Sequence, residues 1–384
     1  MCGIAGFVLN ELRLKIEKPV WLVDLSFKLS RLKEGLPAIE QLSLIISTLN
    51  TKFSELMSCR VFFALQVDNE VWKAVRQLSD DLDRHETALV SLSLAGHTEL
   101  DPVIERLRDM SWQLKHELLG NLEKISRLLN GRPGEKEFMA AYAIEHVLTA
   151  LDRLEVRGRD SAGIYVQVGV PAHAAERFLD KLRRNPSFIV RAAKIDAGDR
   201  IVAVTHLETR GTVIGFTYKT ANLVGCLGDN GAALRAVLSD DELFWSCLAS
   251  AEQLDVLAHT RWASSGVISV ANCHPHNAVI QGDRAEDTAT QWISVLNGDV
   301  DNHIELKKTI LEINQYQVDS AISTDAKIIP IACRFINSTS GHGALDSFRN
   351  ALRYLDGSMA IATLNASKPG EVFIAQKEIG RAHV

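Results

Sequence analysis

The chain has 384 residues, of which 46% are hydrophobic and 23% charged, and its formal net charge is −6. This length can hold two or more domains, each with its own core. An acidic balance without a basic stripe excludes nucleic acid as the main partner. No stretch approaches the ~20 apolar residues that a membrane span requires, so no membrane partner is expected.

The six cysteines are scattered, with no C-x-x-C pair and no regular spacing, which is typical neither of a disulfide framework nor of a zinc site. They are Cys2, Cys59, Cys226, Cys247, Cys273 and Cys333. We therefore expect a reducing, cytoplasmic location. A lipoprotein interpretation of Cys2 fails because no apolar segment precedes it.

The first third of the chain predicts one short strand and then helices. Residues 2–9 form the strand, and residues 11–131 are rich in Leu and Ile and nearly free of Gly. Apolar spacings of three and four predict amphipathic helices over Ala38–Leu65, Val71–Leu94 and Pro102–Leu129, the last ending at Asn130-Gly131. This segment is interpreted as a helical hairpin or small bundle inserted into another domain.

The remaining chain predicts strands and helices in runs, which favours α+β over a strictly alternating parallel sheet. Strands are expected at Ile164–Val168, Arg200–Thr205, Val279-Ile280, Trp292–Leu296, Ala360–Leu364 and Val372–Ala375. Helices are expected at Lys136–Leu154, Ala172–Arg184, Gly231–Leu238, His303–Ile313, Ala326–Phe335 and Gly343–Leu355.

Cys2 is the most informative residue, because removal of Met1 would make it the first residue of the chain. A thiol and a free α-amine would then share one residue, with reference pKa values of about 8.5 and about 7.7–8.0, so the amine could act as base for the thiol. Small residues alternate with Ile4 and Phe7, which predicts a buried strand that lets a substrate approach its first residue.

Three further clusters carry the polar groups of an acyl-transfer site. They are Arg157–Ser161, His259–Gly266 with Asn272–His276, and Asn297-Gly298 with Ser323–Asp325. Each has a plainer interpretation: Arg157 and Asp160 could form a surface ion pair, and Asn297-Gly298 is a turn signal. His274-Pro275-His276 has no further ligand at a suitable spacing, which disfavours a metal site.

At these motifs the chain resembles the class II, N-terminal-nucleophile (Ntn) glutamine amidotransferases, and most closely the glutaminase domain of glutamine–fructose-6-phosphate aminotransferase (isomerizing), the glucosamine-6-phosphate synthase. That family shows M-C-G-I-x-G, L-E-x-R-G-x-D-S-A-G, H-T-R-W-A-T-x-G, N-x-H-P-H, N-G-x-x-x-N-H and T-D. The counterparts here, in the same order, are MCGIAGF, LEVRGRDSAG, HTRWASSG, NCHPH, NGDVDNH and STDAK. The match covers about residues 1–9, 136–168 and 256–376.

The resemblance implies roles for the catalytic groups. Cys2 would attack the side-chain amide of L-glutamine and form a γ-glutamyl thioester. The Asn297 side chain and the Gly298 backbone N–H would form the oxyanion hole. Arg261 would pair with the α-carboxylate of glutamine and Asp325 with its α-ammonium group, and a zwitterionic substrate needs one fixed charge of each sign.

Five further residues receive supporting roles from the resemblance. Trp262 would help to close the site and gate ammonia, while Ser264 and His274 would line the glutamine pocket. Arg157 and Asp160 would organise the pocket beneath the nucleophile. No metal or organic cofactor is implied.

The chain departs from the family pattern in three residues and in length. Ser264 replaces a Thr, Ser265 a His, and Leu296 a His, and none of these changes removes a catalytic group. Residues 11–131 replace a connection of roughly a dozen residues, and residues 169–255 are also longer than in the minimal domain. We interpret the helical insertion as an interaction or oligomerisation element.

The family's two sugar-isomerase (SIS) domains, which bind fructose 6-phosphate and receive ammonia, have no counterpart here. Residues 378–384 read as adapter-encoded, non-native sequence, so we expect a truncated chain that can be inactive. The expected glutaminase domain comprises residues 1–10 and 132–377. At full length the resemblance implies a homo-oligomer that aminates fructose 6-phosphate to glucosamine 6-phosphate.

The expected fold is α+β, a four-layer αββα sandwich of two antiparallel sheets with a large helical insertion. Two alternatives stay open at this point. One is another class II amidotransferase, such as amidophosphoribosyltransferase or asparagine synthetase. The other is a non-catalytic regulatory or scaffold module, which the joint presence of Cys2, Arg261, Asn297, Gly298 and Asp325 disfavours.

Overall fold

The computed structural model describes residues 2–194, 198–207, 211–221, 226–263, 266–283, 292–312 and 316–378. The chain divides into two compact units. One unit joins Met1–Arg13 to Ala143–Val384, and the other is Leu14–Tyr142. Ser264, Ser265 and residues 379–384 of the expected non-native tail lie outside the described residues. No described helix is long and apolar enough to cross a membrane.

The unit Leu14–Tyr142 is helical. Its helices are α1 (Val20–Ser30), α2 (Ile39–Leu56), α3 (Cys59–Val67), α4 (Asn69–Leu94), α5 (Asp101–Trp112), α6 (Gly120–Leu129) and the first part of α7 (Glu135–Leu154). A π-helical segment, Gln113–Leu119, connects α5 to α6. Leu107, Leu114, Leu118 and Leu122 are all almost fully buried, as the amphipathic helix predicted over Pro102–Leu129 requires.

Helix boundaries in this unit follow side-chain caps and backbone conformation. The helix predicted over Ala38–Leu65 is in fact two, because the Ser58 hydroxyl accepts a hydrogen bond from the Val61 N–H and starts α3. The stop predicted at Asn130-Gly131 is confirmed: both residues have positive φ, 48° and 80°, as a left-handed helix end requires.

The other unit contains a five-stranded antiparallel sheet in the order β1-β5-β2-β4-β3. Its strands are β1 (Gly3–Leu9), β2 (Ser161–Val170), β3 (Arg200–Leu207), β4 (Gly211–Thr220) and β5 (Gln253–Arg261). The strand predicted over residues 2–9 is confirmed, but it lies at the sheet edge and is mostly half-buried. Helices α8 (Ala172–Arg183), α9 (Pro186–Ala192) and α10 (Asp229–Ser239) contact this sheet, and α11 (Glu242–Leu248) precedes β5.

The second sheet has four antiparallel strands in the order β6-β7-β8-β9. They are β6 (His276–Asn277), β7 (Trp292–Gly298), β8 (Met359–Asn365) and β9 (Val372–Lys377). The helices of this part are α12 (His303–Leu306), continued by a π-helical segment to Glu312, α13 (Ile328–Ser340) and α14 (Ala344–Leu352).

The two sheets pack face to face. Tyr165 and Leu257 of the first sheet share a buried cluster with Ile293, Val295 and Leu364 of the second. A second cluster joins the outer face of β7 and β8 to α13 and α14. The predicted α+β class and four-layer αββα arrangement are therefore confirmed.

The strand predicted at Val279-Ile280 is wrong. The Asn277 side-chain oxygen accepts from the Val279 N–H at 3.1 Å, and the Asp283 carboxylate accepts from the Ile280 N–H at 2.8 Å. Because side chains take up both backbone donors, these residues make no strand ladder. The sequence prediction also missed α9, α11, β4, β5 and the two-residue β6.

Candidate active site

The strand register gathers four candidate residues at one end of the first sheet: Cys2, Asp160, Arg261 and Trp262. Gly3 pairs with Thr260, and Ser161 pairs with Arg261. Since the strands are antiparallel, the starts of β1 and β2 lie beside the end of β5. Cys2, Asp160 and Trp262, which immediately precede or follow these strand ends, are therefore neighbours.

The Cys2 thiol is held by the backbone of Trp262. The Trp262 N–H donates to the Cys2 Sγ at 3.2 Å, and the thiol lies 3.7 Å from the Trp262 carbonyl oxygen. Burial raises the pKa of the thiol, the Trp262 N–H and the Arg261 charge lower it, and Asp299 raises it. The net pKa lies above the ordinary value, so the thiol needs a base to become a nucleophile near neutral pH.

The Arg157–Ser161 loop supports the segment that holds Cys2. The Asp160 carboxylate accepts from the Ala263 N–H at 2.7 Å, and the Asp160 N–H donates to the Arg261 carbonyl at 3.1 Å. Gly158 lies against the same backbone, where a Cβ would come within 2.9 Å of the Trp262 nitrogen. Asp160 therefore braces this segment, whereas Arg157 is exposed and has no ion pair among the described residues.

The small residue at position 3 serves packing. A Cβ on Gly3 would lie 2.5 Å from the Leu154 Cβ, which is closer than real Cβ atoms approach one another. Helix α7 thus approaches the start of β1 closely, and the predicted approach of a substrate to Cys2 stays a prediction. This contact fixes the position of the first residue of β1 and therefore of Cys2, which precedes it.

Arg261 lies at the end of β5 with only 3% of its surface exposed. Its Nη1 is 3.5 Å from the Val267 carbonyl oxygen. The Asn272 amide nitrogen donates to the same carbonyl at 3.0 Å. Arg261 is thus held in a fixed position beside the thiol, whose pKa it lowers.

Asn272 links this region to the segment that carries Asp325. Its side-chain oxygen accepts from the N–H groups of Ser323 and Thr324, at 2.8 and 3.1 Å, and its amide nitrogen donates to the Ser323 hydroxyl. Asp325 follows directly and is 5% exposed. One asparagine therefore connects the surroundings of the candidate cation and the candidate anion.

Asp325 already accepts two hydrogen bonds from the protein. The Val300 N–H donates to its Oδ2 at 2.7 Å, and the Thr324 hydroxyl to its Oδ1 at 3.2 Å. Each carboxylate oxygen keeps a further lone pair. Burial lowers the pKa of the neighbouring Lys307, and Asp325 opposes this change. Asp325 can therefore hold one more cationic group.

Asn297 and Gly298 end β7. Gly298 has a φ of +102°, and a Cβ there would come 1.9 Å from the Ser358 carbonyl oxygen. Only glycine is compatible with both conditions. The half-buried Asn297 side chain lies 3.0 Å from the His259 Nε2, which joins the end of the second sheet to β5 of the first.

Three buried histidines lie side by side behind Asn297. The His259 and His274 rings stack at 4.2 Å between centroids, and His276 meets His274 edge-on at 4.9 Å. Burial lowers the pKa of all three rings, that of His259 to about 4. His274 therefore lies in a neutral ring cluster, where its Nδ1 accepts from the Leu296 N–H at 3.3 Å.

Ser264 and Trp262 are the two remaining predicted site residues. Ser264 lies outside the described residues. The Trp262 side chain is 54% exposed, and the hydrogen bond to Cys2 comes from the Trp262 backbone. Among the residues that the structure describes, no group of three or more His, Cys, Asp or Glu side chains could hold a metal ion.

The structure adds contacts or charges of three residues to which the sequence prediction assigned no role: His259, Asn272 and Asp299. The first two lie inside the motifs HTRWASSG and NCHPH, and Asp299 directly follows Asn297-Gly298. Their position in the motifs was the available signal. Their contacts depend on partners far away along the chain.

No protein-family model matches the chain. Two solved structures align with 56% of it. One is a glutamine phosphoribosylpyrophosphate (PRPP) amidotransferase from B. subtilis complexed with ADP and GMP, with a TM-score of 0.27, 16% identity and 37% of that chain covered. The other is described as the allosteric regulatory enzyme of purine biosynthesis, with a TM-score of 0.29, 17% identity and the same coverage of 37%.

The chain is similar to the class II glutamine amidotransferases, as its motifs predict. Relatives with which it shares sequence include glutamine–fructose-6-phosphate aminotransferases (isomerizing). The protein of Bacillus thuringiensis subsp. konkukian is 31% identical over 122 residues, which are 32% of this chain and 18% of that protein. The Thermosynechococcus vestitus protein is 32% identical over 137 residues, or 33% of this chain and 20% of that protein.

A longer match is to the Streptococcus pneumoniae (strain ATCC BAA-255 / R6) protein of the same name. It is 22% identical over 236 residues, which are 62% of this chain and 27% of that protein. The chain thus spans between about a fifth and a quarter of the length of these relatives.

Proposed function

We propose that the chain is the glutamine-hydrolysing part of a glutamine amidotransferase, and that it converts L-glutamine to glutamate and ammonia. The observation that carries this proposal is the setting of Cys2. Its half-buried thiol accepts the Trp262 N–H at 3.2 Å and lies within the field of the buried Arg261. A nucleophile beside a fixed cation suits a substrate that carries an α-carboxylate.

The reaction would begin after removal of Met1. The α-amine of Cys2 takes the thiol proton, and the sulfur attacks the γ-amide carbon of glutamine. The negative charge that develops on the amide oxygen is stabilised by the Asn297 side-chain amide and the Gly298 N–H. The tetrahedral intermediate collapses when the α-ammonium group returns its proton to the departing nitrogen, which leaves as ammonia.

A γ-glutamyl thioester on Cys2 then remains. Water attacks its carbonyl carbon with the α-amine again acting as base, and glutamate and the free thiol result. Arg261 and Asp325 hold the two charged groups of the substrate throughout, so the reacting carbon stays in place through both steps. Burial and two protein hydrogen bonds fix the orientation of the Asp325 carboxylate for this task.

The acceptor of the ammonia is proposed from the relatives, which are longer than this chain. The similarity to glutamine–fructose-6-phosphate aminotransferases supports fructose 6-phosphate as acceptor and glucosamine 6-phosphate as product. We propose SIS domains as the site of that second reaction and a cytoplasmic homo-oligomer as the working form.

The helical insertion has a separate role in this proposal. All candidate residues lie outside Leu14–Tyr142, which supports an insertion that serves interaction or oligomerisation. Light scattering on the intact chain tests the oligomerisation role. A monomer at every concentration would contradict it.

Ammonia release from glutamine by the processed protein tests the proposed activity. We expect turnover in the wild type, none in Cys2→Ala, and wild-type turnover in Cys59→Ala, a half-buried cysteine of the helical unit. Mass spectrometry should show that Met1 is removed and that a diazo-ketone analogue of glutamine labels Cys2 alone. Equal ammonia release from wild type and Cys2→Ala, or neither turnover nor labelling in the wild type, contradicts the proposal.

A further inference from the structure

The hydrogen bonds of His259 define which of its ring nitrogens carries the proton. Nε2 lies 2.8 Å from the Leu296 carbonyl oxygen and 3.0 Å from the Asn297 side-chain oxygen. A backbone carbonyl can only accept, so a contact of 2.8 Å requires hydrogen on Nε2. The same N–H therefore faces the Asn297 amide.

This proton determines how the Asn297 amide is oriented. With the carbonyl oxygen toward the ring, Nε2–H meets an acceptor; with the amide turned over, Nε2–H would meet another N–H group. The turned amide would lose a hydrogen bond in a half-buried place and gain a repulsive contact. The amide nitrogen of Asn297 is consequently kept on the side away from His259.

We propose that His259 is a positioning residue for the oxyanion hole: by donating from Nε2 to Asn297, it holds the amide nitrogen of that side chain ready for the developing negative charge. The inference rests on the proposed glutaminase function. His259 itself does not contact the reacting atoms in this scheme. It acts through Asn297.

The surroundings of His259 keep the ring in place. It is fully buried and stacks on His274 at 4.2 Å with 28° between the ring planes. The two rings bind opposite groups of one residue, because His274 accepts from the Leu296 N–H while His259 donates to the Leu296 carbonyl. Leu296 directly precedes Asn297, so the backbone that leads into the oxyanion hole is fixed as well.

The ring also stays neutral under ordinary conditions. The pKa of His259 is about 4 because the ring is buried, and Arg261 adds to the lowering. Its Nδ1 has no hydrogen-bond partner among the described residues, so a proton there would be buried without an acceptor. Above about pH 5 a single tautomer, with hydrogen on Nε2, fits the site.

A double-mutant cycle tests whether His259 acts through Asn297. We expect His259→Leu, which removes the donor, to lower kcat for glutamine hydrolysis about 10- to 100-fold while KM changes less than about twofold. His259→Gln, whose amide nitrogen can replace Nε2, should recover part of kcat. In an Asn297→Ala background, His259→Leu should lower kcat much less than it does in the wild type, because only the bond to the Leu296 carbonyl then remains to be lost.

The cycle separates positioning from general structural support. If His259→Leu lowered kcat equally with and without Asn297, the effect would not pass through that amide and the inference would be overturned. A large rise in KM with unchanged kcat would overturn it too. Circular dichroism and thermal unfolding of each variant establish that the fold is retained.

The tautomer can be measured without turnover, in the full chain. Long-range ¹H–¹⁵N spectra of protein labelled at histidine, with His259 assigned by comparison with His259→Gln, should show hydrogen on Nε2 at neutral pH. Hydrogen on Nδ1 would overturn the inference even in an active enzyme. An inactive wild type with the Nε2 tautomer would instead contradict the proposed function, while still supporting the bond that orients Asn297.

Discussion

The backbone N–H of Trp262 donates a hydrogen bond to the sulfur of Cys2 over 3.2 Å. The two residues are 260 positions apart in the chain, and the pairing of β1 with β5 brings them together. Since a backbone group makes the contact, the position of the thiol depends on the residues that contact the backbone of residues 261–263. Asp160 and Gly158 contact that segment directly.

Gly158→Ala should change the position of Cys2 by displacing the Trp262 backbone that holds its thiol. Gly158 has an extended backbone, with φ −167°, but a Cβ would lie 2.8 Å from the Arg261 carbonyl carbon. We expect a loss of about 1–3 kcal/mol in the free energy of unfolding, together with a lower kcat for ammonia release. Gly343→Ala is the matched control, because its φ is −64° and a Cβ there meets nothing within 4 Å. Wild-type kcat in Gly158→Ala would contradict this account.

Asp299→Asn should make Cys2 easier to ionise. The Asp299 charge is one cause of the raised pKa of the thiol, so its removal should shift the pH dependence of Cys2 alkylation to lower pH. The rate of iodoacetamide modification, followed by mass spectrometry of the Cys2 peptide, measures this shift. Asp301→Asn, which removes an exposed carboxylate two residues away, should leave the profile unchanged. A shift of the alkylation profile to higher pH in Asp299→Asn would contradict this prediction.

Asn272→Ala should weaken glutamine binding more than it slows turnover. The substitution leaves the Ser323 and Thr324 N–H groups and the Val267 carbonyl without the Asn272 partner, at a cost of about 1–3 kcal/mol for each group that stays buried and unpaired. The hydrogen bonds that connect the surroundings of Arg261 to those of Asp325 are then lost. We expect KM for glutamine to rise about tenfold or more, since about 1.4 kcal/mol corresponds to tenfold.

Asn272→Asp is the informative comparison. It keeps the oxygen that accepts from Ser323 and Thr324 but loses the donor to the Val267 carbonyl. Its KM should lie between those of wild type and Asn272→Ala. An unchanged KM in both variants would show that the link has no part in binding.

Acid should destabilise the protein partly through His259. In the unfolded chain a histidine takes up a proton below about pH 6.5, whereas folded His259 stays neutral down to about pH 4. The unfolded state then binds more protons, so the free energy of unfolding falls as pH is lowered through this window, by about 1.4 kcal/mol per pH unit from this group. The total over the window is about 3 kcal/mol.

Urea unfolding at several pH values measures this contribution. The wild type should lose stability more steeply than His259→Gln between pH 6.5 and 4. Carboxylates and the other histidines titrate in both proteins, so the difference between the two slopes measures His259. Equal slopes would mean that His259 does not titrate differently in the folded and unfolded states.

The sequence alone determined the features that depend on neighbouring residues. The first strand, most helices and the stop at Asn130-Gly131 follow from periodicity and cap residues within a few positions. The family resemblance likewise depends on short motifs with residues in fixed order, and sequence relatives bear it out. The α+β class followed from the order of the predicted strands and helices, and the four-layer αββα arrangement followed from that resemblance.

Only the tertiary structure decided how the site is assembled, because its hydrogen bonds join residues that lie far apart in the chain. Asn297, a partner of His259, is 38 positions away from it in the chain. Thr324, whose N–H donates to Asn272, is 52 positions away from that residue. Asp160 braces the cysteine-holding segment while Arg157, in the same motif, is exposed. Strand register and the stacking of the two sheets fix these pairings, and neither can be read from a local pattern.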